Sequence, residues 1–110
     1  MTVHYKDAFV QTDNENMTRR VMAHNEDLML VEMTFHKKSN DPNMHSHPHK
    51  QVVCITEGKF EFIIEGKDNV VLEPGDSIYV EPNVMHGANV LADGSKLLDI
   101  FTPRRDDFLK

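Results

Sequence analysis

Cysteine is nearly absent from this chain: Cys54 is the single one. No intrachain disulfide can form, which fits a reducing compartment and predicts a cytoplasmic protein. Positive charge is also in short supply. Twelve Lys and Arg stand against eighteen Asp and Glu, for a formal net charge of -6. A nucleic-acid or anionic-membrane surface needs a basic patch, so neither partner is expected. An anionic ligand would need a local positive centre, either a cation or a specific arginine. The N-terminal MTVHYKDAFV has no long apolar core of a signal peptide, and no stretch approaches a membrane span. No window gives a helical stripe, and there is no internal repeat, low-complexity segment or linker. With 110 residues, the chain is the size of one domain, 1–110, with one core.

What the sequence does contain is a succession of short apolar runs: RRVMAH (19–24), LMLVEMTF (28–35), QVVCIT (51–56), KFEFII (59–64), NVVLEP (69–74), DSIYVEP (76–82), HGANVL (86–91) and KLLDIF (96–101). Turn residues separate most of them, as in EG, EGKDN, EPGD, EPN and ADGS. In KFEFIIE, the residues Phe60, Phe62 and Ile64 alternate with Lys59, Glu61 and Ile63, close to the period of two of a half-buried strand. Strands at this spacing indicate an all-β sandwich or barrel. Residues 1–17 are polar and weakly patterned and are expected to form an N-terminal arm that covers an open sheet edge. Cys54 lies in an apolar run with no catalytic partner nearby and is expected in the core.

The chemistry concentrates in MHSHPHKQ, residues 44–51, which holds three of the seven histidines. Residues i and i+2 of an extended segment point to one face, about 6–7 Å apart. His45 and His47 can therefore bring two ring nitrogens to one divalent ion at ~2.0–2.1 Å. Pro48 favours the extended conformation at His47 that this needs. Gln51 has the same parity, but a straight strand would carry it ~20 Å from His45. It can join the same centre only if the chain bends, and PHK is the place for that bend; His49 is then free to point elsewhere. His86, in EPNVMHGAN, is the candidate for a further ligand. A solvated His-rich surface loop is the plain alternative for the whole cluster.

Two motifs resemble those of the cupins. The first, His-x-His followed by Glu and Gly, is matched by His45, His47, Gln51 in the Glu position, and Gly58. The second is matched by Gly75 and His86, with Glu81 and Asn83 in place of the family's Pro and Gly and Val90 in place of its last Asn. The resemblance implies an all-β, double-stranded β-helix (jelly-roll) barrel. It also implies one divalent transition metal ion (Zn, Ni, Fe, Mn or Co) held by His45, His47, Gln51 and His86. The neutral amide at Gln51 weakens the case for an iron dioxygenase, which would need the carboxylate.

The tail can be read from its residues alone. Leu97, Asp99 and Phe101 share one strand face, so Asp99 is a carboxylate flanked by apolar neighbours. Such a group must be partnered or hold a raised pKa, unless it is a strand-end Asp exposed to water. Arg104 and Arg105 are adjacent and should diverge, one toward the barrel mouth and one to solvent; a surface pairing with Asp106 or Asp107 is the plain alternative.

A narrower resemblance covers RRVMAHNEDLMLVEM, the HPHKQ segment and LLDIFTPRRDDF. It is to the KdgF-type uronate cupins of pectin and alginate breakdown. It implies conversion of a 4,5-unsaturated monouronate into the linear 4-deoxy-5-keto uronate, without a redox cofactor. Carried onto this chain, it makes Asp99 the proton-transferring group and Arg105 the residue that holds the sugar carboxylate. Phe101 shapes the sugar pocket, and Met85, beside His86, is expected to line it. A homodimer is expected. The rival readings are a metal dioxygenase acting on another small molecule and a non-catalytic sugar-binding cupin.

Overall fold

The computed structural model describes residues 1–13 and 16–110. Among these the structure is β throughout, apart from two short 3-10 turns, Tyr5–Asp7 and Asp106–Leu109. The strands are β1 (Phe9–Asp13), β2 (Met17–His24), β3 (Met29–Phe35), β4 (Lys50–Glu57), β5 (Phe60–Ile64), β6 (Val70–Leu72), β7 (Ser77–Val80), β8 (His86–Val90) and β9 (Ser95–Thr102). Each of the eight apolar runs contributes a strand. One sheet has the order β1-β2-β3-β9-β4-β7 and the other β6-β5-β8, and every pairing is antiparallel. This is the jelly-roll expected. No helix among the described residues is long and apolar enough to cross a membrane.

The alternation read in the sequence sets which side chains face inward. In β5, Phe60, Phe62 and Ile64 are buried and the residues between them half-buried. In β9, Ser95, Leu97, Asp99 and Phe101 are buried, while Ile100 and Thr102 are exposed. Inward residues form two apolar clusters. Val53, Ile55, Phe60, Phe62, Leu72, Val90 and Leu97 make one; Val21, Met29, Val31, Phe101 and Phe108 make the other; Met33 packs against both. Cys54 is half-buried on the outward side of β4 rather than in the core, because its neighbours Val53 and Ile55 take the inward parity.

The segment expected as an arm contributes β1, an edge strand on the six-stranded sheet of its own chain, paired Phe9 to Val21 through Asp13 to Met17. Residues 14–15 of that segment lie outside the described residues. The sequence carries little sign of this strand, because an edge strand with exposed Phe9 and Val10 has no inward apolar pattern.

The long connection from β3 to β4 runs alongside β8. Ser39 and Val90 exchange two backbone hydrogen bonds, Ala88 donates to the Pro42 carbonyl, and His45 and His86 exchange two more. Pro42 has no N–H to give and Asn43 sits at φ 50, so the segment follows β8 without becoming a regular strand. Its closest approach is at Gly87, where a methyl group would collide with the Pro42 carbonyl oxygen. Glycine is required there by space, not by backbone angle.

Candidate metal centre and cavity

The histidine cluster folds as a convergent group. His45 and His47 lie on the incoming segment, the chain bends at Pro48–His49, and Gln51 follows as the second residue of β4. His86 opens β8. Ring centroids are 4.5 Å apart for His45 and His86, 4.9 Å for His47 and His86, and 5.8 Å for His45 and His47. One ligand nitrogen from each ring lies within 4.8 Å of the other two. The bend brings Gln51 to the same place, with Oε1 3.0 Å from His47 Nε2. His49 packs edge-on against His47 and does not belong to this group.

Hydrogen bonding decides which nitrogens are available. His45 Nδ1 lies 2.8 Å from the Asn43 carbonyl, and His86 Nδ1 lies 2.8 Å from the Val84 carbonyl. A carbonyl only accepts, so each Nδ1 carries the proton and each Nε2 presents a lone pair. His86 Nε2 is buried and has no hydrogen-bond partner. Orienting a ligand imidazole through its far N–H is how metal-binding histidines are held. Burial, reinforced by the Arg105 charge, pushes His47 down to about 4. Burial also lowers His86, against the opposing pull of the Val84 carbonyl. Both rings are therefore neutral at neutral pH, the form a metal requires. His45 is exposed while His47 and His86 are buried, so one side of the group stays open. The donor set fits a divalent transition metal ion.

Beside this group lies a cavity of about 570 Å³, lined by residues that include Gln51, Asp99, Phe101, Arg105, Phe108 and Arg19. Asp99 comes from the middle of β9, opposite Val31 of β3 on one side and Val53 of β4 on the other. Its carboxylate accepts a hydrogen bond from Gln51 Nε2 at 2.8 Å. Burial raises its pKa to about 7, against the opposing effects of the Gln51 hydrogen bond and the Arg105 and Arg19 charges. The carboxyl is thus both partnered and shifted, and not exposed to water.

The two arginines of the tail diverge. Arg104 pairs with exposed Asp106 at 2.8 Å. Arg105 turns inward, its side chain 13% exposed, with its guanidinium 4.2 Å above the Phe108 ring and 5.1 Å above Phe101. It is held by a two-pronged pair with Asp107, Nε to Oδ1 at 3.0 Å and Nη2 to Oδ2 at 2.8 Å. Arg105 therefore combines both alternatives, a cavity-lining residue and a partner of Asp107. That pair holds the Asp107 carboxyl below its usual range.

Met85 is a correction. It is 36% exposed and lies outside the cavity lining, because adjacent residues of an extended chain point to opposite sides and His86 takes the inner one. Phe108, the last residue of LLDIFTPRRDDF, also lines the cavity, and Arg19 is a cavity residue that the sequence patterns did not single out. Arg19 places its guanidinium 3.8 Å over the Phe108 ring. Its signal was present: it shares parity with the buried Val21, so a charge stands on the inward face of β2.

Fold and site together define a small jelly-roll protein with a histidine-rich centre inside the barrel. The cupin-domain family profile matches residues 31–101, and the chain belongs to the cupin family, in its KdgF-type branch. It is 36% identical to the pectin degradation protein KdgF of Dickeya dadantii (strain 3937), over 86% of each chain. The solved structure of KdgF from Halomonas sp. superposes with a TM-score of 0.87 at 32% identity, covering 97% of this chain and 98% of that one. An RmlC-like cupin from Shewanella frigidimarina also superposes with a TM-score of 0.87, at 33% identity over 97% and 94% of the two chains.

Proposed function

We propose that this protein acts in pectin or alginate breakdown by converting a 4,5-unsaturated monouronate into the linear 4-deoxy-5-keto uronate. The observation that carries the reading is Asp99: a buried carboxyl raised to about 7, facing a cavity that also contains an arginine and a histidine centre. A group with that pKa can give and take a proton near neutral pH. The likeness to the pectin degradation protein KdgF of Dickeya dadantii supports a role in pectin breakdown.

In this reading Asp99 delivers a proton to C4 of the enol ether as the ring C1–O bond opens. The proton lost from the anomeric hydroxyl balances the one gained at C4. C1 becomes an aldehyde and C5 a ketone, with no atom added or removed and no change in overall oxidation state. Arg105, anchored by Asp107, leaves Nη1 outside that pair to meet the sugar carboxylate. Phe101 forms the apolar wall. His45, His47 and His86 with the Gln51 oxygen would hold one divalent ion (Zn, Ni, Fe, Mn or Co), which when bound supplies positive charge that polarises a substrate oxygen.

The test follows ultraviolet absorbance of unsaturated monouronate with and without the protein, in air and under anaerobic conditions. Loss of absorbance without oxygen is expected. A requirement for oxygen would favour the dioxygenase, and binding without loss of absorbance would favour a sugar-binding protein.

A homodimer belongs to the same proposal. On the outward face of the large sheet, Leu30, Ile100, Val52 and Tyr79 stand side by side across four strands. Ile100, Val52 and Tyr79 are each at least 40% exposed. A second copy of the chain covering this apolar row would remove it from water. Light scattering should give twice the monomer mass, and Ile100→Asp should halve it; a monomeric wild type sinks the idea.

A further inference from the structure

Gln51 lies between two groups that make opposite demands. On one side its Nε2 donates to Asp99 Oδ1 at 2.8 Å, and a carboxylate oxygen only accepts. On the other side its Oε1 faces His47 Nε2 at 3.0 Å, on the histidine centre. Gln51 is 7% exposed and Asp99 6% exposed, so both contacts are made in a largely buried setting at the cavity wall. The register explains the reach. Gln51 is paired with Phe101 and Asp99 with Val53, which makes Gln51 and Asp99 diagonal neighbours on the inward face of β4 and β9.

We propose that Gln51 is a positioning residue for Asp99, and that this second task is why position 51 holds an amide and not a carboxylate. The amide fixes Oδ1 and leaves Oδ2 outside that bond, on a side chain that lines the cavity. Its oxygen faces the histidine centre with the polarity that centre requires. A glutamate could present oxygen to the centre equally well. Toward Asp99, however, it would set acceptor against acceptor in a buried site, and the proton-transferring group would lose its anchor. The inference rests on the reading of Asp99 as the proton-transferring group.

Three variants test it: Gln51→Glu, Asp99→Asn and the double variant. In metal-stripped protein at pH 8, Gln51→Glu should melt roughly 5–10 °C below wild type. Asp99→Asn should not melt below wild type, since it removes a buried charge and the new amide can turn its oxygen to Gln51. The double variant should recover most of the loss, because the asparagine amide can donate to the carboxylate introduced at position 51, with the bond reversed. In metal-loaded protein, Gln51→Glu should keep its metal and its KM while kcat falls roughly 10^2-fold, the scale of a misplaced reacting group. If Gln51→Glu does not fold but the double variant does, the coupling is upheld. Additive melting shifts, a double variant that fails to recover, or a fully active Gln51→Glu would each overturn the proposal. A wild type inactive on unsaturated uronate would sink the functional reading and leave the melting cycle standing, so the two failures are distinct.

Discussion

His45 and His86 exchange both of their backbone hydrogen bonds, each 2.9 Å long. This isolated bridge ties the β3–β4 connection to the start of β8 and sets the two rings 4.5 Å apart. The centre is thus built on backbone pairing, and the neighbouring Gly87 is what lets the two segments approach. Gly87→Ala should force the Pro42 carbonyl away. Overpacking of this kind costs about 1–3 kcal/mol. The melting temperature should fall and metal occupancy with it, though no ligand has been removed. Unchanged occupancy, measured by elemental analysis, would show that the bridge does not set the ligand spacing.

The ligand set makes a separate prediction. Ala at His45, His47, Gln51 or His86 should lower metal content, whereas His49→Ala should leave most of it. Metal at a hundredfold excess over its Kd should stabilise wild type by about 2.7 kcal/mol. Equal loss from His49→Ala would show that the centre has another composition.

Asp99 and Arg105 should fail differently. Asp99→Asn keeps the shape and removes the transferable proton, so kcat should fall ~10^2–10^4-fold with metal still bound. In the proposed reading Arg105→Ala would leave the sugar carboxylate unpaired and should appear mainly in KM, with a loss of about 2–5 kcal/mol if the contact is fully buried. Initial rates at several uronate concentrations separate the two. Full activity in Asp99→Asn would move the acid elsewhere.

Stability against pH gives a further check on metal-free protein. His47 falls from 6.5 to about 4 on folding. The unfolded chain binds the proton more readily, so this contribution is present above pH 6.5 and lost as pH falls toward 4. Asp99 rises from 3.8 to about 7. Here the folded chain binds the proton more readily, so its contribution is present below pH 3.8 and lost as pH rises through 7. The two slopes oppose each other, and Asp99→Asn removes only the second. The stability of Asp99→Asn relative to wild type should therefore climb between pH 4 and 7 and then level off. The rise should be on the order of 4 kcal/mol, since each tenfold change in proton affinity corresponds to about 1.4 kcal/mol. Denaturant melts at several pH values measure it, and a flat difference would show that folding leaves the proton affinity of Asp99 unchanged.

The strand pattern was legible because alternation is a local property of the chain. Phe60, Phe62 and Ile64, or Leu97, Asp99 and Phe101, share a face wherever the strand ends up. His45 and His47 were legible for the same reason, and Asp99 was marked by its apolar neighbours. Other features depend on pairing between distant segments. Gly87 matters only because the Pro42 carbonyl is laid across it. Arg105 points into the cavity but arrives already held by Asp107. The diagonal contact of Gln51 with Asp99 exists only in the register that β4 and β9 adopt, and the direction of the amide is set by the two groups facing it. Side-chain parity belongs to the chain alone. Register, close approach and hydrogen-bond polarity arise only when the strands have been brought together.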